Sequence, residues 1–198
     1  MALFYPAYFG SIKQYSSILK SEDYSFEVWD NFEKQTYRNR MYILGPNGKQ
    51  MLGVPVLRSG KMLTREVAID YKEDWVGLHQ KSMDTAYMSS PFYEYYRDEL
   101  FDVLNQKFKF LQDLQMASHE FIMQALDEKK AYTSTKAFST DNNQSDFRGL
   151  IQAKKENNDG MLSYVQVFSN RFGFEPNLSV LDLIFNEGPS APRYLYGL

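Results

Sequence analysis

Residues 24–29, YSFEVW, set Tyr24, Phe26 and Val28 against Ser25, Glu27 and Trp29, a period of two that predicts a β-strand. RMYIL at 40–44 and QMLGVPV at 50–56 are two more strand-like runs. They flank GPNGK, whose Pro46, Asn47 and Gly48 have turn chemistry, so a hairpin is expected there. Pro55 cannot donate to a ladder and belongs at an edge or strand end. REVAID at 65–70, with Val67 and Ile69 on one face, completes the expected set. Together these runs predict a small, largely antiparallel N-terminal sheet of about four strands.

The pattern then lengthens to the helical period. Between Asp74 and Tyr87 the apolar positions are Trp75, Leu78, Met83 and Ala86. After the Ser90-Pro91 break they are Phe92, Tyr96, Leu100, Val103 and Leu104, and from Lys109 to Glu128 they are Leu111, Leu114, Phe121, Ile122 and Ala125. The stretch 129–160 is polar and aperiodic and reads as loops. Order returns in PNLSVLDLIFNEGP, where Ser179 and Asp182 occupy N-cap and N3 positions of a short helix that Gly188 stops. Strands followed by successive helices predict an α+β fold, with a mixed α/β layer as the alternative, and the length predicts a single domain over 1–198.

Composition narrows the function classes. The formal charge of −3 lacks the broad basic excess of a nucleic-acid or acidic-membrane binder, so an anion site would have to be local. The chain has no cysteine, which excludes disulfides, thiolate metal sites and cysteine nucleophiles. The opening MALFYPAYFGSIKQY has Pro6 and Gly10 where a signal or membrane segment needs an unbroken apolar run. A cytoplasmic protein with no membrane span is expected. Aromatic residues make up 16% of the chain, and the 15 tyrosines suit a cleft lined with phenols.

Candidate chemistry concentrates at the mouth of the hairpin. If strand geometry already holds there, Arg38 and Arg40 share a face with Tyr42, and two guanidiniums on one face can grip a carboxylate or a phosphate. Lys34 and Tyr37 would add donors, and Asn39 points to the other face. The plainer alternative is a solvated strand edge whose charges discourage edge pairing. His79 borders the apolar stripe of its helix and is a candidate proton carrier, or simply a flanking histidine. His119 sits on a helix flank with no neighbouring motif. Two histidines 40 positions apart and no dense acidic loop offer no metal-ligand spacing, and glycine-rich phosphate loops are absent, so no metal or other cofactor is expected. Asp182 and Asn186 lie four apart on one helix face and could meet a polar ligand, although a capping role explains Asp182 equally well.

PAYFG before a strand, Asp30, the Tyr37, Asn39, Arg40 group and GVPV at 53–56 occur in a fixed order along the chain. Trp75, His79, Tyr87, Pro91-Phe92 and YVQVFSNRFGFEPNLSVLDLIFNEGP follow. In that order and spacing they resemble the WbqC-like proteins over nearly the whole chain. The family opening commonly reads Gln-Pro-x-Tyr-x-Pro-Trp, whereas Tyr5-Pro6-Ala7-Tyr8 here lacks the glutamine and the second Pro-Trp.

The resemblance implies bacterial surface-polysaccharide synthesis of the O-antigen type, where many members are encoded. The expected activity is group transfer onto an amino sugar from an activated anionic donor. Arg38 and Arg40 would hold the anion, Asn39 would orient it, and His79 or Asp30 would move a proton. Tyr8, Tyr37, Tyr87, Asp182 and Asn186 would line the cleft. The expected partner is a small molecule such as a sugar nucleotide, not a nucleic acid. A non-catalytic module that holds a glycan precursor or a partner enzyme is the alternative. Single-stranded nucleic-acid binding through Tyr37, Arg38, Arg40 and Tyr42 ranks last because the chain is acidic.

Overall fold

The first strand leads into a helix. In the computed structural model, which describes residues 1–57, 60–140, 145–153 and 160–198, β1 (Ala2–Phe4) is followed by α1 (Ile12–Lys20) and β2 (Tyr24–Phe26). Ser11 starts α1 by accepting a hydrogen bond from the Gln14 amide, and Ile12, Tyr15, Ile18 and Leu19 form its buried stripe. The helix is the crossover that lets β1 and β2 pair in parallel, in register from Ala2↔Tyr24 to Phe4↔Phe26.

The next two strands, β3 (Arg40–Gly45) and β4 (Gly48–Gly53), form the expected hairpin, closing at the Gly45↔Gly48 pair. Pro46 confines its own φ to negative values, so a primed two-residue turn is ruled out. The positive φ, +97°, falls on Gly48 instead. Pro55 separates β4 from β5 (Val56–Leu57), which pairs antiparallel with β6 (Ala68–Ile69) across a 3₁₀ turn at Thr64–Glu66.

Helices α2 (Trp75–Tyr87), α3 (Tyr93–Asn105) and α4 (Leu111–Ala125) follow, at the positions their periodicity predicts. A short strand, β7 (Tyr132–Ser134), then adds in parallel to the free edge of β2, and α5 (Ser169–Phe172), α6 (Val180–Glu187) and α7 (Ala191–Gly197) end the chain.

The fold is mixed α+β, but the single antiparallel sheet expected from the pattern is not what forms. Among the described residues there are three small sheets, and the three-stranded one, ordered β1-β2-β7, is parallel. The difference has a physical origin. Residues 24–26 find partners remote in sequence, so β2 never joins the hairpin, and those partners, β1 and β7, are too short at three residues each to declare a period. The described parts of the polar stretch 129–160 are also more ordered than their composition suggests. The stretch contributes β7, a parallel bridge from Asp146 to Leu3 and a 3₁₀ turn at Arg148–Ile151, while its residues 141–144 and 154–159 lie outside the described residues.

A hydrophobic cluster running from Ala2 to Leu195 joins these pieces. At its centre is α6, whose Val180, Leu181, Leu183, Ile184 and Phe185 are all fully buried. Ser179 caps it by accepting from the Leu181 amide. Gly188 ends it at φ +50°, hard against the Phe92 ring. The side chain of Asp182 does not complete the capping box; it turns inward, as described below.

Candidate functional site

In an open sheet of parallel strands, the loops that leave the carboxyl ends converge on one edge, and ligand sites gather there. In this chain that edge is polar. Tyr5 follows β1, Glu27 and Asp30 follow β2, and Thr135 and Ser139 follow β7; Arg148 lies just beyond the Asp146 bridge to β1. Glu27 is completely buried and accepts from Thr135 Oγ1 at 2.9 Å and from the amides of Trp29 and Ser139 at 2.8 and 2.7 Å. It ties the exits of β2 and β7 together. Arg148 forks onto Asp146 at 2.9 and 2.7 Å and donates to the Ser139 carbonyl at 2.7 Å.

Two guanidiniums approach the ring of half-buried Tyr5: Arg38 at 4.1 Å and Arg148 at 5.9 Å from its centroid. Arg38 is itself buried, ion-paired with buried Asp30 and donating to Thr36 Oγ1 at 3.3 Å. Burial raises the Asp30 carboxyl above its ordinary range, against the pull of Arg38 and of the Thr64 hydroxyl. The Tyr5 phenol is raised too, by burial first and the nearby Asp30 charge second.

The strand expected to carry Arg38 and Arg40 on one face begins only at Arg40. Residues 37–39 form a turn, so Arg38 goes inward to Asp30 while Arg40 enters the ladder opposite Gly53. Asn39 fixes the junction: its Nδ2 donates to the Val54 carbonyl at 2.9 Å, and its carbonyl accepts from the Val54 amide at 2.8 Å. Gln115 donates to the Arg38 carbonyl at 2.7 Å. Three consecutive side chains nevertheless keep a buried polar atom without a hydrogen-bond partner among the described residues: Arg38 Nε, Asn39 Oδ1 and Arg40 Nε. Buried polar atoms in native proteins are nearly always paired, so such a run is unusual.

His79 reaches the same junction from α2. Its ring bonds the backbone of Gly53, the residue paired with Arg40, and its Nδ1 lies 2.8 Å from the Tyr8 hydroxyl. Trp75 packs edge-on against the imidazole at 5.1 Å. Burial lowers the His79 pKa to about 4, partly offset by the Gly53 hydrogen bond, so the ring is neutral at pH 7. Tyr37 is buried at the back of the turn, its carbonyl accepting from the Tyr8 amide at 3.0 Å. The structure thus gathers Tyr8, Asp30, Tyr37, Arg38, Asn39, Arg40 and His79 around one junction.

It places Tyr87, Asp182 and Asn186 apart from them. Tyr87 bonds the backbone of Leu44, four residues up β3, which is about 13 Å from Arg40 at strand rise. There the fully buried Asp182 accepts from Tyr87 at 2.8 Å, Tyr164 at 2.5 Å and Gln166 at 2.9 Å. Both carboxylate oxygens are used. Desolvation raises the Asp182 pKa against these three donors. Asn186 donates back to the Asp182 carbonyl at 2.7 Å, within its own helix.

The sequence-based candidates omit Tyr5, Glu27, Arg148, Tyr164 and Gln166. Two local signals point toward them: Tyr5 stands where the family motif has its glutamine, and Glu27 is the one charge in YSFEVW. Nothing local marks Arg148. Among the surface cavities on the described residues, five of about 240 to 610 Å³ have no sequence-based candidate in their described lining. No group of three or more His, Asp or Glu side chains suited to a metal ion occurs among the described residues. No helix there is long and apolar enough to cross a membrane.

A family model described as the WbqC-like protein family matches residues 5–166, and the chain belongs to that family. A comparison with curated proteins and one with solved structures find no match.

Proposed function

We propose that this chain transfers a group from an activated anionic donor to an amino sugar during bacterial surface-polysaccharide synthesis, at the junction of Asp30, Arg38, Asn39 and Arg40. The observation that carries the reading is the run of unpartnered buried atoms at Arg38 Nε, Asn39 Oδ1 and Arg40 Nε, beside the carboxyl edge of a parallel sheet. Two donors and an acceptor in sequence suit a ligand that carries both anionic oxygens and a hydroxyl or amide. Family membership supports the setting, since the WbqC-like match over residues 5–166 takes in this junction.

Of the two proton carriers, Asp30 fits better. Its carboxyl is made more basic by burial and is steered by Arg38, so it is suited to accept the proton an attacking amine releases. His79 is sealed between Trp75 and Tyr8 and acts by holding the Gly53 backbone opposite Arg40. A sugar nucleotide is the donor or acceptor class that best combines the required charge and hydroxyls.

The test is incubation of folded protein with amino-sugar nucleotides and a panel of acyl and aminoacyl donors, with products read by mass spectrometry. Turnover should appear, and Arg40→Gln and Asp30→Asn should abolish it. Absence of turnover across the panel, or full activity in Arg40→Gln, would overturn the reading. The sealing of His79 and Asp182 in the core favours a second reading, a binding module for a glycan precursor. It predicts sugar-nucleotide affinity that depends on Arg40 without any product.

A further inference from the structure

The far end of the β3–β4 hairpin carries a separate feature. Its turn leans on the outer face of α2, and the two enclose a cavity of about 440 Å³ lined by Asn47, Lys49, Gln50, Lys81, Ser82 and Thr85. Among the described residues two lysines and no carboxylate line it, although the chain as a whole has 25 acidic against 22 basic residues. Lys81 has no ion-pair partner among the described residues. Among the described residues Lys49 is paired with Glu175 alone, at 3.0 Å, with both side chains about one-third exposed. Converging like charges are unfavourable unless an anion lies between them.

The rest of the lining is ordered for donation. Gln50 Nε2 donates to Ser82 Oγ at 3.1 Å, so the Ser82 hydroxyl, which lines the cavity, accepts there and keeps its own proton to donate. The turn is held in place by Arg171, which donates to the Pro46 carbonyl at 2.7 Å and adds a third positive charge nearby. Phe172 packs beside Gly48, whose positive φ shapes the rim. Ammonium groups with a hydroxyl and amide donors make up the chemistry that recognises phosphate.

We propose that this cavity binds a phosphoanion, with Lys49 and Lys81 as its charge partners and Ser82 and Asn47 as its neutral donors. The site is independent of the transfer reading. It lies five residue steps along β3 from Arg40, about 17 Å away, and its test reads binding and not turnover.

The experiment is isothermal titration of the whole chain with inorganic pyrophosphate and, in a second arm, with a nucleoside diphosphate. Pyrophosphate should bind, and its affinity should fall as NaCl rises from about 50 to about 300 mM, because exposed charges are screened over a Debye length. Lys49→Gln/Lys81→Gln should raise the Kd at least tenfold while leaving the urea midpoint nearly unchanged. Amide NMR signals of Asn47, Gly48 and Ser82 should shift on titration. A nucleoside diphosphate that binds no tighter than pyrophosphate assigns the site to phosphate alone, and a tighter one assigns it to a nucleotide. No binding of either probe, or equal affinity in the double variant, overturns the proposal.

Discussion

Acidification from pH 7 to pH 5 should remove about 4 kcal/mol of stability through two buried imidazoles. His79 titrates near 4 in the fold and His119 near 3, both lowered chiefly by desolvation, against about 6.5 in an unfolded chain. His119 is held neutral between two phenols, with Tyr15 at 3.0 Å and Tyr24 at 2.8 Å from its two nitrogens. The folded pKa values are depressed, so the unfolded chain binds the protons first. Their contribution to stability is complete above pH 6.5 and lost as pH falls, ending near pH 4 for His79 and near pH 3 for His119. Each imidazole loses about 1.4 kcal/mol per pH unit in that window, or about 2 kcal/mol between 6.5 and 5. Against a typical stability of about 5–15 kcal/mol, the sum is large.

Carboxyls modify the curve without mimicking it. Asp30 and Asp182 are raised in the fold and oppose the loss, while Asp84 and Asp146, lowered by Arg97 and Arg148, add to it only in more acid solution. The comparison that isolates the imidazoles is wild type against His79→Gln/His119→Gln, by urea unfolding at pH 7, 6 and 5 with tryptophan fluorescence. The double variant should be less stable at pH 7 and much flatter with pH. If it does not fold, the ring proton signals of the wild type should stay unchanged from pH 7.5 to 5. Equal losses in both proteins, or an imidazole titrating above pH 6 in the fold, would refute the reasoning.

Arg38→Ala strands the buried Asp30 carboxylate and should destabilise by roughly 3–5 kcal/mol in urea, whereas Arg40→Ala, which breaks no ion pair among the described residues, should cost about 1 kcal/mol or less. Equal effects would merge the roles that the structure separates. Gly188→Ala puts a Cβ 2.5 Å from the Phe92 ring at φ +50° and should lower Tm by about 5 °C or more. Tyr164→Phe removes one of three donors to buried Asp182 and should cost about 1–3 kcal/mol, with the exposed Tyr95→Phe as a neutral control.

What the sequence determined by itself was local. The hairpin follows from Pro46, Asn47 and Gly48 between two strand-like runs, α2 to α4 from apolar residues at helical spacing, and α6 from Ser179 and Gly188 at its ends. Each depends on neighbours within a few positions, which a pattern can display. Family membership was legible too, since it rests on the order of residues and not on their contacts. Even α1 was accessible, through Ser11 and the Ile12, Tyr15, Leu19 stripe, although the aromatic-rich opening with its Pro6 and Gly10 obscured it.

Tertiary structure decided the rest. β1, β2 and β7 have three residues each, and they become a sheet only because segments about 20 and about 110 positions apart pair in parallel. That pairing carries Tyr5, Glu27 and Asp30 to one edge and brings Arg148 beside them. The turn at 37–39 then separates Arg38 from Arg40, giving one to the buried charge of Asp30 and the other to the ladder opposite Gly53. Asp182, a capping residue by position, becomes an internal hub because Tyr87, Tyr164 and Gln166 arrive from elsewhere and only their hydrogen bonds make its burial tolerable.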